Sequence, residues 1–145
     1  MTRFPQGAPD AGVSPFATEF AEAMRADGFA LDFSMESLER VIDQILVSPD
    51  VNLDQSPQSW RTEAGLEAYV GETLARLHDG IWKGQFSQEN PGVNFYTSYV
   101  EFGQYRYYPS HFLAYRISNG PGEGTFAEHL KRKLPEIVGR RPNET

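Results

Sequence analysis

The chain has 145 residues, 39% of them hydrophobic and 23% charged, with a net charge of −7. That length and mixture fit one folded domain with one core and exclude a disordered chain. The absence of cysteine excludes disulfides, thiolate nucleophiles, iron–sulfur clusters and cysteine-based zinc sites.

Residues 1–13 contain Pro5, Pro9, Gly7 and Gly12 and read as a flexible arm before a single globular domain at 14–138. The arm has no apolar run of the secretory type, so a cytoplasmic location is expected. Ser14-Pro15 suits the start of a helix at about 15–27, with Phe16, Phe20, Ala23 and Met24 on one stripe and Gly28 as its stop. Ser34 caps a second helix at about 35–47, where Leu38, Val41, Ile42, Ile45 and Leu46 keep the helical period. Residues 48–58 are a loop, which Trp60 is expected to anchor on the core. Asp50-Val51-Asn52-Leu53 lacks the glycine and closing glutamate of a calcium loop.

The helix predicted at 62–78 has two low-polarity faces. One is Leu66, Tyr69, Val70, Leu74 and Leu77; the other is Ala64, Ala68, Gly71 and Ala75. Such a helix is covered on both sides, which makes it the expected centre of the fold, with Gly71 as a point of close approach. Glu72 and Arg76 can pair along its polar edge.

After Gly80 the pattern turns to β. Strands are expected at 81–86, 93–102 and 105–108, with a turn at 87–92 and Gly103-Gln104 closing a hairpin. That hairpin sets Glu101 opposite Arg106, Val100 opposite Tyr107 and Tyr99 opposite Tyr108. A short helix follows at 111–118. Thr125 and Glu128 then form a capping box for a last helix, which Pro135 kinks or ends, and 139–145 is a flexible tail. The expected architecture is α+β: N-terminal helices packed on a small antiparallel sheet (residues 81–108), followed by two short C-terminal helices.

Gly65-Leu66-Glu67-Ala68-Tyr69-Val70-Gly71-Glu72, followed by Asp79-Gly80-Ile81-Trp82, resembles a helix–turn–strand pattern of small bacterial α+β families of unknown function. Leu31-Asp32-Phe33-Ser34 is in keeping, so the resemblance covers residues 31–86. It implies a small α+β domain and assigns no activity, cofactor or site residue.

No catalytic residue stands out. His78, His111 and His129 fall on separate elements with no metal-binding spacing, and no nucleophile elbow or phosphate-cradling loop is present. No cofactor or metal is expected, and no apolar run is long enough for a membrane span. Residues 1–80 carry 14 acids and 5 bases, net −9; residues 81–145 carry 6 acids and 8 bases, net +2. The acidic half repels phosphates and suits a basic protein partner. Lys131-Arg132-Lys133 reads as a solvated helix terminus rather than a nucleic-acid contact.

The aromatic strands offer the candidate binding residues Trp82, Tyr96, Tyr99, Tyr105, Arg106, Tyr107 and Tyr108. Strand side chains alternate faces, so they cannot all enter one core. The second face is either covered by a helix of the same chain or offered to a partner. Tyrosine with arginine is a hot-spot composition. The expected function is therefore that of a non-catalytic interaction domain, of the bacterial immunity or antitoxin type, that binds a basic partner. The alternatives are a small-molecule-binding or enzymatic domain with a pocket between helix 62–78 and the aromatic strands, and a homodimer formed through the hairpin.

Overall fold

Helices fill the first half of the chain in the computed structural model, which describes residues 9–54, 56–84, 87–89, 92–94 and 98–139. α1 spans Pro9–Ala26; a π-helical turn, Ser37–Val41, runs into α2, Ile42–Val47; α3 spans Pro57–His78. α1 begins earlier than the expected residue 15 and carries Pro15 inside it. Val13 extends the buried stripe of Phe16, Ala17, Phe20 and Met24 by one more turn, and that burial outweighs the proline. α3 also starts early. Pro57 occupies its first turn, where a missing N–H costs nothing. Trp60, expected to anchor the preceding loop, stays 41% exposed.

α3 is the axis of the fold. Every residue from 64 to 74 is buried, and the helix packs against α1 and against elements of the second half. Gly71 is the expected close approach. A Cβ there would stand 2.7 Å from Trp82 Cζ2 and 2.9 Å from Pro109 Cγ. Burial on all sides leaves polar groups of α3 inside, among them the Tyr69 hydroxyl, which joins a short relay. The Phe33 N–H donates to the Tyr69 hydroxyl at 2.8 Å, Tyr69 bonds Ser37 Oγ at 2.6 Å, and Ser37 Oγ donates to the Ser34 carbonyl at 2.7 Å. This relay holds Phe33 in the left-handed region, at φ 63°.

The second half begins with β1, Ile81–Lys83, then β2, Ser87–Glu89, β3, Gly92–Asn94, β4, Tyr99–Phe102, and β5, Tyr105–Tyr107. β1, β4 and β5 form an antiparallel sheet in the order β1-β4-β5, and β2 pairs with β3 separately. The expected strand 81–86 therefore ends at Lys83, where Gly84 takes φ 93°. Ser87–Glu89, expected within a turn, is β2, and Gly92 opens β3; the central Asn90-Pro91 of the expected turn lies outside the described residues, as do residues 95–97 of the expected strand 93–102, of which 93–94 belong to β3 and 99–102 to β4. The hairpin register is as read: Val100 opposes Tyr107 and Glu101 opposes Arg106.

α4, Pro109–Asn119, leads through a 3-10 turn at Pro121–Glu123 into α5, Phe126–Val138. The Thr125–Glu128 capping box is present, and α5 runs through Pro135 to Val138 rather than ending there. The whole is an α+β fold, with α1, α3 and α5 on the inner face of the sheet.

Candidate interaction surface

Alternation along three short strands sorts the aromatic residues. Trp82, Val100, Phe102 and Tyr107 point inward and are buried. Ile81, Lys83, Tyr99, Glu101, Arg106 and Tyr108 point outward and keep solvent exposure. Ile81 is 57% exposed, unusual for an isoleucine on a sheet. Register places the outward residues in two rows across the sheet. One is Ile81, Glu101, Arg106; the other begins Lys83, Tyr99.

The second row continues through rings. Tyr99 and Tyr108 have centroids 4.9 Å apart, and Tyr108 lies flat on His111 at 4.6 Å and 3°. These spacings are those of favourable aromatic pairs. The Arg106 guanidinium sits over the Tyr99 ring, 4.9 Å from its centroid. Tyr108 is the residue before the first turn of α4, and the His111 N–H donates to its carbonyl at 3.1 Å. The helix start thereby fixes the histidine against the tyrosine.

Beyond His111 the same face of α4 forms an open groove of about 550 Å³, lined by His111, Ala114, Tyr115, Ser118 and Asn119. Those positions are spaced by three and four residues and share one helix face. Tyr115 is 64% exposed on the groove wall. The sequence reading missed His111 and Tyr115. Their spacing from Tyr108, three and seven residues, was the available signal.

The candidate set is therefore split. Tyr99, Arg106 and Tyr108 come together on the outer face. Tyr105 packs against the core, Trp82 and Tyr107 lie within it, and Tyr96 lies outside the described residues. The described candidates thus divide between the two faces of the sheet, as strand alternation requires. Trp82 is committed internally: its Nε1–H donates to Glu72 Oε1 at 2.9 Å. The same oxygen accepts from Ser14 Oγ at 2.7 Å, and Oε2 accepts from Arg76 Nε at 2.8 Å. The expected Glu72–Arg76 pair exists, but Glu72 is a buried junction of α1, α3 and β1 rather than a surface edge.

Tyr107 is committed too. Its hydroxyl is hydrogen-bonded to His129 Nε2 at 3.0 Å, and the imidazole stacks on Phe112 at 4.3 Å. Burial, with Lys133 and Arg132 nearby, lowers the His129 pKa to about 4, so the ring is neutral. Burial raises the Tyr107 hydroxyl far above its usual range. Burial and then Glu63 push the Glu67 carboxyl well up. These perturbed groups all lie on the inner side of the sheet, away from the α4 groove.

Neither Trp82 nor Tyr107 lines the groove. Among the described residues no cluster of three His, Asp or Glu has metal-binding geometry, and no helix is long and apolar enough to cross a membrane. No protein-family model, curated protein or solved structure matches the chain.

Proposed function

We propose that the protein is a non-catalytic interaction domain, of the immunity or antitoxin type, that docks a partner protein on the outer face of the β1-β4-β5 sheet. One observation carries this reading: Arg106, Tyr99, Tyr108 and His111 pack side by side in one continuous outward track, with Tyr108 stacked on His111, and still meet solvent. Stacked aromatics lose little conformational freedom on binding, and tyrosine and arginine dominate hot spots.

Charge supports a basic partner at longer range. Glu19, Glu22, Asp27, Glu36, Glu39 and Asp50 are exposed on the helical half. Their field steers a positively charged protein toward the molecule and raises its association rate at low salt.

The test is a photo-cross-linker placed in the full chain. Benzoylphenylalanine at Ile81, exposed on the same face, or at Tyr115 is expected to capture one discrete protein from native lysate, and the same label at Glu22 is not. Capture should fall when Tyr99→Ala is added, and its rate should fall as salt rises. Equal capture from all three positions, or none from the sheet face, would remove the proposal.

A further inference from the structure

We infer that the partner enters as an extended acidic segment, with one carboxylate seated on Arg106 and the chain running over the aromatic row into the α4 groove. This rests on the docking face proposed above and adds the chemistry of what docks.

Arg106 is the first observation. Its cross-strand neighbour is Glu101, yet the guanidinium lies over Tyr99, and among the described residues it makes no ion pair. A guanidinium stacked on a ring keeps its in-plane N–H donors for a carboxylate and has already lost much of its rotamer freedom.

The sign of the face is the second. Although the chain as a whole is at −7, the described outward residues of β1, β4 and β5 include Lys83 and Arg106 against Glu101 alone. The far field of the helices is negative while the contact face is not. A partner that is basic overall can thus be steered by the former and anchored by an acid on the latter.

Continuity is the third. His111 belongs both to the ring row and to the groove. The steps from Arg106 to Tyr99, Tyr108 and His111 are 4.9, 4.9 and 4.6 Å. That track matches about four extended residues at about 3.3 Å each. The groove beyond it, about 550 Å³, has the volume of a side-chain-accepting site, and Tyr115 closes one wall.

The experiment is selection of a random heptapeptide phage library on the full chain, followed by fluorescence polarisation of the winning peptides. Asp and Glu are expected to be enriched. Replacing them with Asn and Gln should weaken binding at least tenfold, and Arg106→Met should do the same to the acidic peptide while leaving the Asn/Gln peptide unchanged. Tyr115→Ala should weaken both several-fold. Far-UV circular dichroism of each variant confirms that the fold is retained. Enrichment of basic or neutral peptides, no enrichment, or an acidic peptide indifferent to Arg106→Met would overturn the inference. Cross-linking from Ile81 combined with any of those results would defeat the acidic segment alone and leave the docking face standing; failure of cross-linking from both Ile81 and Tyr115 would defeat both.

Discussion

Asp43 caps a helix that begins more than eighty residues later: its Oδ1 accepts the Phe126 N–H at 2.7 Å and its Oδ2 accepts the Ala127 N–H at 3.0 Å. Thr125 Oγ1 accepts the Glu128 N–H at 3.1 Å, and Glu128 Oε1 accepts the Thr125 N–H at 3.2 Å. Between them, two side chains of the local box and one from α2 satisfy the whole N-terminus of α5, with negative charge at the positive end of the dipole. Asp43→Ala is expected to cost about 2 kcal/mol, and Asp43→Asn about 1, because one acceptor survives. Urea midpoints measure both. Asp43→Ala combined with Thr125→Ala should be non-additive, since the two caps share one helix end. Midpoints unchanged by Asp43→Ala would show that the docking of α2 on α5 does not depend on the cap.

Gly71 sets the distance between α3 and β1. Alanine is the better helix former by about 1 kcal/mol, but its methyl would overlap the Trp82 ring and Pro109. Gly71→Ala is therefore expected to lower the melting temperature, with an overpacking cost of about 1–3 kcal/mol outweighing the propensity gain. The near-ultraviolet circular dichroism of Trp82 should change with it. A melting temperature above wild type would mean that β1 moves aside without loss.

Tyr69→Phe removes a single oxygen from the buried relay. The Phe33 N–H then loses its acceptor, and Ser37 Oγ keeps only the Ser34 carbonyl. A buried donor left unsatisfied costs about 1–3 kcal/mol, and that is the expected loss in unfolding free energy. Phe33→Gly removes the left-handed strain but also the ring that stacks on Tyr69 at 4.8 Å and lies under the Arg76 guanidinium at 3.8 Å. It should destabilise as well. Stabilisation by Phe33→Gly would show that the φ strain outweighs the ring contacts.

Patterns with a period were legible in the sequence; the meeting of distant residues was not. The two apolar faces of 62–78 announced α3 and its glycine contact, and Gly103-Gln104 fixed the hairpin register. The turn at 87–92 was read three residues too wide at its start: Ser87–Glu89 pairs with β3 as strand β2. Helix starts were set too late, at 15 rather than Pro9 and at 62 rather than Pro57: Pro15 was read as the first helical residue although burial of Val13 carries the helix past it, and Pro57 was read as loop although a first-turn position permits it. The outer face was half visible. Alternation put Tyr99, Arg106 and Tyr108 on one side, but Trp82 and Tyr107 went inward because their polar atoms meet Glu72 and His129. Those partners come from other elements. Asp43 and the N-terminus of α5 are separated the same way, and no spacing within the chain could announce that cap.

Two buried groups give the stability opposite slopes with pH. His129 has its folded pKa lowered from 6.5 to about 4. Its contribution is present above pH 6.5 and is lost as the pH falls through about 4, when the unfolded chain takes up the proton first. At about 1.4 kcal/mol per unit the ceiling is about 3 kcal/mol, reduced toward 2 by solvent near the ring. Glu67 is raised, so its contribution is present below the ordinary carboxyl range and is lost as the pH rises through its folded value. His129→Gln, which keeps an acceptor for the Tyr107 hydroxyl, is expected to flatten the melting curve between pH 6.5 and 4. Glu67→Gln is expected to raise the melting temperature at pH 7 to 8 and to converge on wild type near pH 4. Melting temperatures across that range check both signs. A Glu67→Gln variant less stable than wild type at pH 8 would show that the ionised carboxylate is held by favourable contacts rather than penalised by burial.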